Sequence, residues 1–441
     1  MSVLNNFTVS IAKGLKRLKQ RKEYYDTLLP TRRGSSARND ANDALKLNMD
    51  KCLIVSKVTR YEHEKNCHEN ISDEELEKLL RKRGSDYDAM LLNHREQKAF
   101  EENIVQSLKS VGAKVEMASR LTYSDELINW CDVVVPCGGD GTFLLAASRV
   151  RDANKPVVGF NSAPHKSVGR LCLPRWCSND VKGALNALKE GKFRWMRRSR
   201  IRTTVSCEQK HLDKIMPVDL HTLNFCRYPP VSTYDDTPES TEARNNFNSG
   251  TETSSTLSTK VLPFLALNEV FIGESVTSRV SLLRLQIDNG KWTHTKSSGL
   301  CVTTGTGSTS WHFSINCLRT HSVLELMKIL SEEYGVKLDT SLETAREVTE
   351  RYNQKLMFAP DSEQLAYSVR EYIAFEEWPA PRGLRVRDKA SSVQVKSHCT
   401  DAGLVVDGSV SFPFNDGTEA ILEIHPEDAL MTVQMDDRLP Y

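Results

Sequence analysis

Along the chain, runs of β-branched and aliphatic residues alternate with stretches in which apolar positions recur every three or four residues. In the first half these two rhythms interleave. Leu53, Ile54, Val55 and Val58 predict a strand, and a helix is expected from Ser72, with Glu74 and Glu75 in its first turn where the helix dipole favours acid. A second helix is predicted over residues 94–111, a short strand over 113–117 and another strand over 133–135. A helix over 143–150 and the strand KPVVGFN follow. Strands alternating with helices imply a parallel sheet covered by helices. After about Arg200 the pattern becomes short β-prone segments separated by turns: ALNEVFIG, RVSLLRLQID, LCVTTGTG, SSVQVKSHC, LVVDGSVSF and EAILEIHP.

The expected fold class is therefore α/β + β, an N-terminal Rossmann-like α/β domain followed by a mostly antiparallel β-rich domain. Its expected boundaries are 51–199 for the first and 200–441 for the second. Two insertions interrupt the second. Residues 228–260 are dense in Ser, Thr, Asn, Pro and Glu with almost no apolar anchors, which predicts a disordered loop. Residues 318–358 are helical in pattern, with Leu324, Met327, Ile329 and Leu330 on one helix and a second around 345–356. Residues 1–50 are expected to be a presequence and linker. No acidic residue precedes Glu23, while Lys13, Lys16, Arg17, Lys19, Arg21 and Lys22 accompany an apolar face of Leu4, Phe7, Ile11, Leu15 and Leu18. That composition points to a mitochondrial transit peptide and a matrix location, with a basic helix of the mature protein as the plainer alternative.

Composition narrows the classes. The 441 residues allow two or three domains with a sizeable core. A net charge of +1 argues against a general nucleic-acid binder. No apolar run approaches the roughly 20 residues of a membrane span. The 11 cysteines include no CxxC spacing, which suits reduced thiols better than a disulfide framework or a zinc site.

Candidate chemistry begins at VVVPCGGDGTFLLAAS, residues 133–148. A strand ending in Gly138-Gly139-Asp140-Gly141-Thr142 and feeding a helix sets backbone N–H groups where phosphate oxygens are stabilised, and glycines let backbone approach a ligand. A carboxylate beside phosphates is electrostatically awkward unless it has a task. It can accept a proton from a hydroxyl or hold a metal, and both belong to phosphoryl transfer. The plain alternative is a tight turn with Asp140 capping the helix. Asn268-Glu269 is a polar pair inside an apolar strand, so one of the two points to a core or cleft and needs a partner, unless the pair faces water from an edge. Thr304-Gly305-Thr306-Gly307-Ser308-Thr309-Ser310 offers many small donors and acceptors, and Asp407-Gly408 reads as a hairpin turn.

GGDGT, then NE, then TGTGSTSW, then VDG, in that order, resembles the NAD kinase family, and LNEVFIGES, KSSGL, EGKFRWMRRSRIR and EYIAF look closest to its mitochondrial members. The resemblance runs from about Leu53 to about Met435. It implies transfer of the γ-phosphate of ATP, with Mg²⁺, to the 2′-hydroxyl of the adenosine ribose of NAD, giving NADP and ADP. It also implies a homodimer. Carried over by motif, Asp140 is the catalytic base or orienter; Gly138, Gly139, Gly141 and Thr142 contact phosphates; Asn161, Asn268, Glu269, Thr306, Ser308 and Thr309 bind NAD. No dedicated protein metal cage is expected, since the cation would arrive with ATP. Basic candidates for the triphosphate are Lys166, Arg170, Arg279 and Lys296.

This chain departs from the family pattern in places. Ser298-Gly299 stands for Asp-Gly, Gly305 for a proline and Trp311 for a tyrosine, while FNSAPHKSVGRLCLP matches the usual loop only at Asn161, Gly169 and Leu171. Trp311 could stack on a base or serve as a core aromatic. The cluster Arg194, Arg197, Arg198, Arg200 and Arg202 reads as a solvated segment joining the domains, or as an anion site. Two rival functions share features with this one. A lipid kinase of the diacylglycerol or sphingosine type has a GGDG loop but needs an apolar cleft. A non-catalytic nucleotide sensor would bind NAD and ATP without turnover.

Overall fold

KCLIVS (β1, Lys51–Ser56) is buried on both faces. In the computed structural model, which describes residues 47–68, 71–221, 257–373 and 384–436, it is central to a four-stranded parallel sheet. Its neighbours are β2 (Lys114–Ala118) on one side and β3 (Val133–Gly138) on the other, with β4 (Phe160–Asn161) beyond β3. Alternation along β1 sends Cys52 and Ile54 to one core, with Ile104 and Leu108 of the helix Tyr87–Ser110 and Leu185 of the helix Val181–Lys189. It sends Leu53 and Val55 to the opposite core, with Phe143, Ala146 and Ala147 of the helix Asp140–Arg149. This two-sided burial is why the strand carries apolar residues at consecutive positions. Two adjustments to the predicted elements stand out: a capped helix, Arg60–Cys67, precedes the expected one, and KPVVGFN contributes only a two-residue strand.

The chain then enters a ribbon, β5 (Arg194–Arg198), and a pair of antiparallel sheets. One has the order β11 (Thr293–Ser297), β10 (Ser281–Ile287), β15 (Ser392–Ser397), β18 (Glu419–Ile424), β6 (Ile201–Glu208), β8 (Leu257–Val261). The other runs β14 (Arg387–Ala390), β13 (Leu365–Arg370), β12 (Gly299–Thr303), β9 (Glu269–Glu274), β16 (Ala402–Val406), β17 (Val410–Pro413), β7 (Val218–Asp219). Val205, Leu283, Val393 and Leu422 from the first meet Val270, Leu300 and Leu404 from the second in one core. All six segments anticipated after Arg200 supply strands.

Four expectations need correction or bounding. The stretch 194–202 is no solvated joint: Arg194–Arg198 and Ile201–Glu208 are strands, and Arg200 is fully buried. The last strand, β19 (Leu430–Gln434), leaves the β-rich part to pair with β5, and Met431 O accepts from Val157 N at 2.9 Å, so the C-terminus completes the first layer. Within the segment expected to be disordered, residues 257–260 form β8 against β6, and residues 228–256 lie outside the described residues. Residues 1–46, with the presequence expectation, lie outside them as well. Residues 316–359 cluster separately from the sheets. There Thr320–Glu332 and Leu342–Gln354 form a helical pair around Val323, Met327 and Ala345, with Leu318 N donating to Asn353 Oδ1 at 2.9 Å.

Candidate active site

β3 ends at the carboxyl edge of the parallel sheet, beside β1, where the chain order reverses; open α/β sheets place ligands there. Gly138 is the final strand residue, Gly139 precedes the helix, and Asp140 is its first residue. A Cβ on Gly138 would lie 2.3 Å from Thr142 Oγ1, so the close turn requires glycine. Asp140 does not cap its own helix. Its two carboxylate oxygens accept instead from the backbone N–H of Leu171 at 2.8 Å and of Arg170 at 3.1 Å. Those bonds use two of roughly four lone-pair directions, so the carboxylate is oriented yet can accept a further proton.

The loop that aims Asp140 is stitched by Asn161. This buried amide donates to Ser167 O at 3.1 Å and accepts from Ala163 N at 3.0 Å. Gly169 turns at φ 62°, packed so closely on Asn161 that a Cβ would sit 2.5 Å from its Nδ2. Asn161 is therefore fully engaged in shaping the loop.

A second group assembles at the start of β9. Asp407 sits at positive φ in the turn between β16 and β17, followed by Gly408, also at positive φ. Its carboxylate accepts three backbone N–H groups, from Leu267 and Asn268 at 2.8 Å and from Glu269 at 3.1 Å. Thr304 Oγ1 donates to Leu267 O at 2.6 Å, and Thr303 Oγ1 donates to Asn268 O at 2.9 Å. Asn268 and Glu269 are thus presented by a backbone clasped from both sides. Glu269 is nearly buried, and its Oε2 has no hydrogen-bond partner. Burial, with the Asp407 charge beside it, pushes its carboxyl up to about 8. Burial pushes Asp407 up to about 6, against the three N–H donors and the charge of Arg200.

The hydroxyl-rich loop packs onto this clasp. A Cβ on Gly307 would lie 2.2 Å from Asn268 O, so only glycine allows the approach. Ser308 is fully buried and its hydroxyl donates to Gly305 O at 2.6 Å; the Thr309 hydroxyl donates to Thr306 O at 3.3 Å. The Thr306 hydroxyl accepts from Arg198 Nη1 at 3.3 Å, and Arg170 Nη1 donates to Thr309 O at 3.4 Å. Arg170 thereby touches both the Asp140 loop and the hydroxyl-rich loop.

A model of the ATP-NAD kinase N-terminal domain matches residues 39–193. The chain is 38% identical over 386 residues to the human protein named NAD kinase 2, mitochondrial, spanning 87% of this chain and 84% of that one. With the Xenopus tropicalis protein of the same name it shares 38% over 405 residues, 87% of this chain and 90% of the relative. This chain belongs to the NAD kinase family. A solved NAD kinase from Archaeoglobus fulgidus in complex with ATP superposes with a TM-score of 0.46 at 16% identity, covering 88% of this chain and 94% of that one.

Within this NAD kinase, Gly138, Gly139, Asp140, Gly141, Thr142 and Asn161 gather at the parallel-sheet edge, and Asn268, Glu269, Thr306, Ser308 and Thr309 gather at the β9 clasp. Of the basic candidates, Lys166 is exposed and ion-paired with Glu96 at 2.7 Å, while Arg279 lies 3.7 Å from Glu274. Trp311 is half-buried and packs against Phe271, ring centroids 4.9 Å apart, with the Arg370 guanidinium 5.3 Å from its ring. Sequence reasoning underrated three residues. Asp407 read as a plain turn, though its side chain organises the NE backbone. Arg198 and Arg200 read as solvated charges. Arg200 instead donates to Asp428 O at 2.6 Å and to Ala147 O at 3.2 Å, tying the C-terminal end of the Asp140 helix to the β-rich part. The strict in-out alternation of IRTTVSCE was the available signal, since a strand that begins at Ile201 invites its flanks into the sheet.

Proposed function

We infer that this chain is an ATP-dependent NAD kinase of mitochondria, which transfers the γ-phosphate of ATP to the 2′-hydroxyl of the adenosine ribose of NAD and supplies NADP. The observation that carries the mechanism is the carboxylate of Asp140, aimed by two backbone N–H groups at the mouth of the glycine turn. In our reading the ribose 2′-oxygen attacks the γ-phosphorus, the bond to the leaving oxygen of ADP breaks, and the hydroxyl proton passes to Asp140. An unactivated alcohol is a very weak acid, so in a loose transition state the proton moves late and Asp140 chiefly aligns the attack.

Gly138, Gly139, Gly141 and Thr142 bring N–H groups and the helix N-terminus to the phosphates. Asn268 and Glu269 take the adenosine part of NAD, with Glu269 toward the ribose hydroxyls. Its raised affinity for a proton suits a group that meets neutral hydroxyls rather than phosphate. Thr306 and Thr309 border the same part of the nucleotide, and Ser308 acts from behind them, because its hydroxyl is committed to the loop. Asn161 shapes the segment that aims Asp140. Mg²⁺, which would arrive with ATP, would offset phosphate charge beside the glycine turn. The assembly we propose is a homodimer.

The test is NADP formation by the full chain from NAD, ATP and Mg²⁺, beside Asp140→Asn. Loss of a positioned general base costs about 10²–10⁴-fold in rate. We expect a fall of that size with NAD affinity retained. Unchanged turnover in Asp140→Asn would remove Asp140 as the base, and nucleotide binding without turnover in the parent would sink the kinase reading.

A further inference from the structure

Arg198 is the last residue of β5, and its backbone is pinned by pairing with Leu430 of β19. Its Nη1 reaches Thr306 Oγ1, while its Nε is buried without a hydrogen-bond partner. No carboxylate among the described residues forms an ion pair with it. The charge it feels is that of Asp140; burial pushes the Cys172 thiol up and keeps it neutral, with Sγ 3.8 Å from Gly138 O. The guanidinium therefore borders the hydroxyl-rich loop, close enough to feel the charge of the carboxylate assigned to the 2′-hydroxyl. Burial pulls it down to about 10, with the Asp140 charge opposing, so it still carries its charge near neutrality.

Arg198 is half-buried, but its Nε is cut off from water without a partner, which is costly, and an arriving anion would relieve that cost. Resting on the kinase reading, the chemistry near Asp140 supplies one. NAD presents a neutral hydroxyl there and NADP presents a phosphate. We propose that Arg198 receives the transferred group: it contacts the phosphoryl as the new O–P bond forms and then binds the 2′-phosphate of NADP. Arg198 would thus discriminate product from substrate by charge, a task the planar, permanently charged guanidinium performs with two parallel N–H donors. The bond to Thr306 sets the plane of the fork, and the unpartnered Nε is one of the donors left for phosphate oxygen.

The donor substrate is a second source of phosphate oxygens, so the experiment separates the two. The full chain, Arg198→Met and Arg198→Lys are titrated calorimetrically with NAD, with NADP, and with a non-hydrolysable ATP analogue plus Mg²⁺, alongside melting temperatures. Loss of a charge-assisted hydrogen bond corresponds to about ten- to a hundredfold in Kd. We expect Arg198→Met to bind NADP weaker by that factor while NAD binds as in the parent. Arg198→Lys should recover part of the loss, and kcat should fall with KM for NAD unchanged. Equal weakening of NAD and NADP would indicate a merely structural residue and overturn the proposal, as would a loss confined to the ATP analogue. Should Arg198→Met fail to fold, Arg198→Gln gives the same comparison. A parent that never forms NADP sinks the kinase reading separately, because the NADP-to-NAD affinity ratio is read without turnover.

Discussion

Replacing Glu269 by glutamine tests the electrostatics of the β9 clasp directly. Glu269 is 9% exposed, one of its carboxylate oxygens is buried without a partner, and the Asp407 charge acts on it. It titrates at about 8 in the folded protein against 4.5 for the unperturbed group. The folded state therefore binds this proton more tightly than the unfolded chain does. Its stabilising contribution is complete below about pH 4.5 and is lost as pH rises through about 8, because folding must then retain a proton or bury a charge. Each pH unit in that window is worth about 1.4 kcal/mol, so the whole gap sets a ceiling near ~5 kcal/mol. Glu269→Gln mimics the neutral acid and cannot ionise. Its stability relative to the parent should climb by up to about 1.4 kcal/mol per pH unit from mildly acidic pH and level off near pH 8 to 9. Asp407 titrates in both proteins and leaves a common slope. Urea unfolding at pH 5, 6.5, 8 and 9 measures the difference. Parallel stability profiles across that range would refute the argument, since they would mean Glu269 is no harder to ionise when folded.

Two further perturbations probe the supports behind the site. Gly307→Ala puts a methyl 2.2 Å from Asn268 O, a backbone atom that cannot swing aside. Overpacking of that kind costs about 1–3 kcal/mol, so the melting temperature should drop and KM for NAD should rise; an unchanged KM would show that the loop position is independent of the clasp. Arg200→Met leaves Asp428 O without its donor, removes a second donor from Ala147 O and leaves Asp407 without a nearby cation. Breaking a buried charge interaction typically costs about 3–5 kcal/mol, measurable by denaturant unfolding, and a loss under 1 kcal/mol would contradict the role assigned to Arg200.

What was legible in the sequence was whatever short-range chemistry can encode. The consecutive apolar residues of β1 and β3, the glycine turn that follows, and the six β-prone segments depend on neighbours a few positions away, and each carries its own signal. The NE pair and the hydroxyl-rich loop were visible for the same reason: polar residues interrupt an apolar rhythm. The partners of those residues were not visible. Asp407 meets Leu267, Asn268 and Glu269 about 140 positions earlier. Arg170 and Leu171 reach back to Asp140, and β19 reaches back across more than half of the chain to pair with β5. Charged residues hide these relations most of all. An arginine on a strand flank has the same local pattern whether it faces water, as Arg194 does, or lies fully buried, as Arg200 does. Only the folded arrangement decides, because burying a guanidinium requires carbonyl oxygens and carboxylates from elsewhere in the chain, and those are brought together by packing rather than by adjacency.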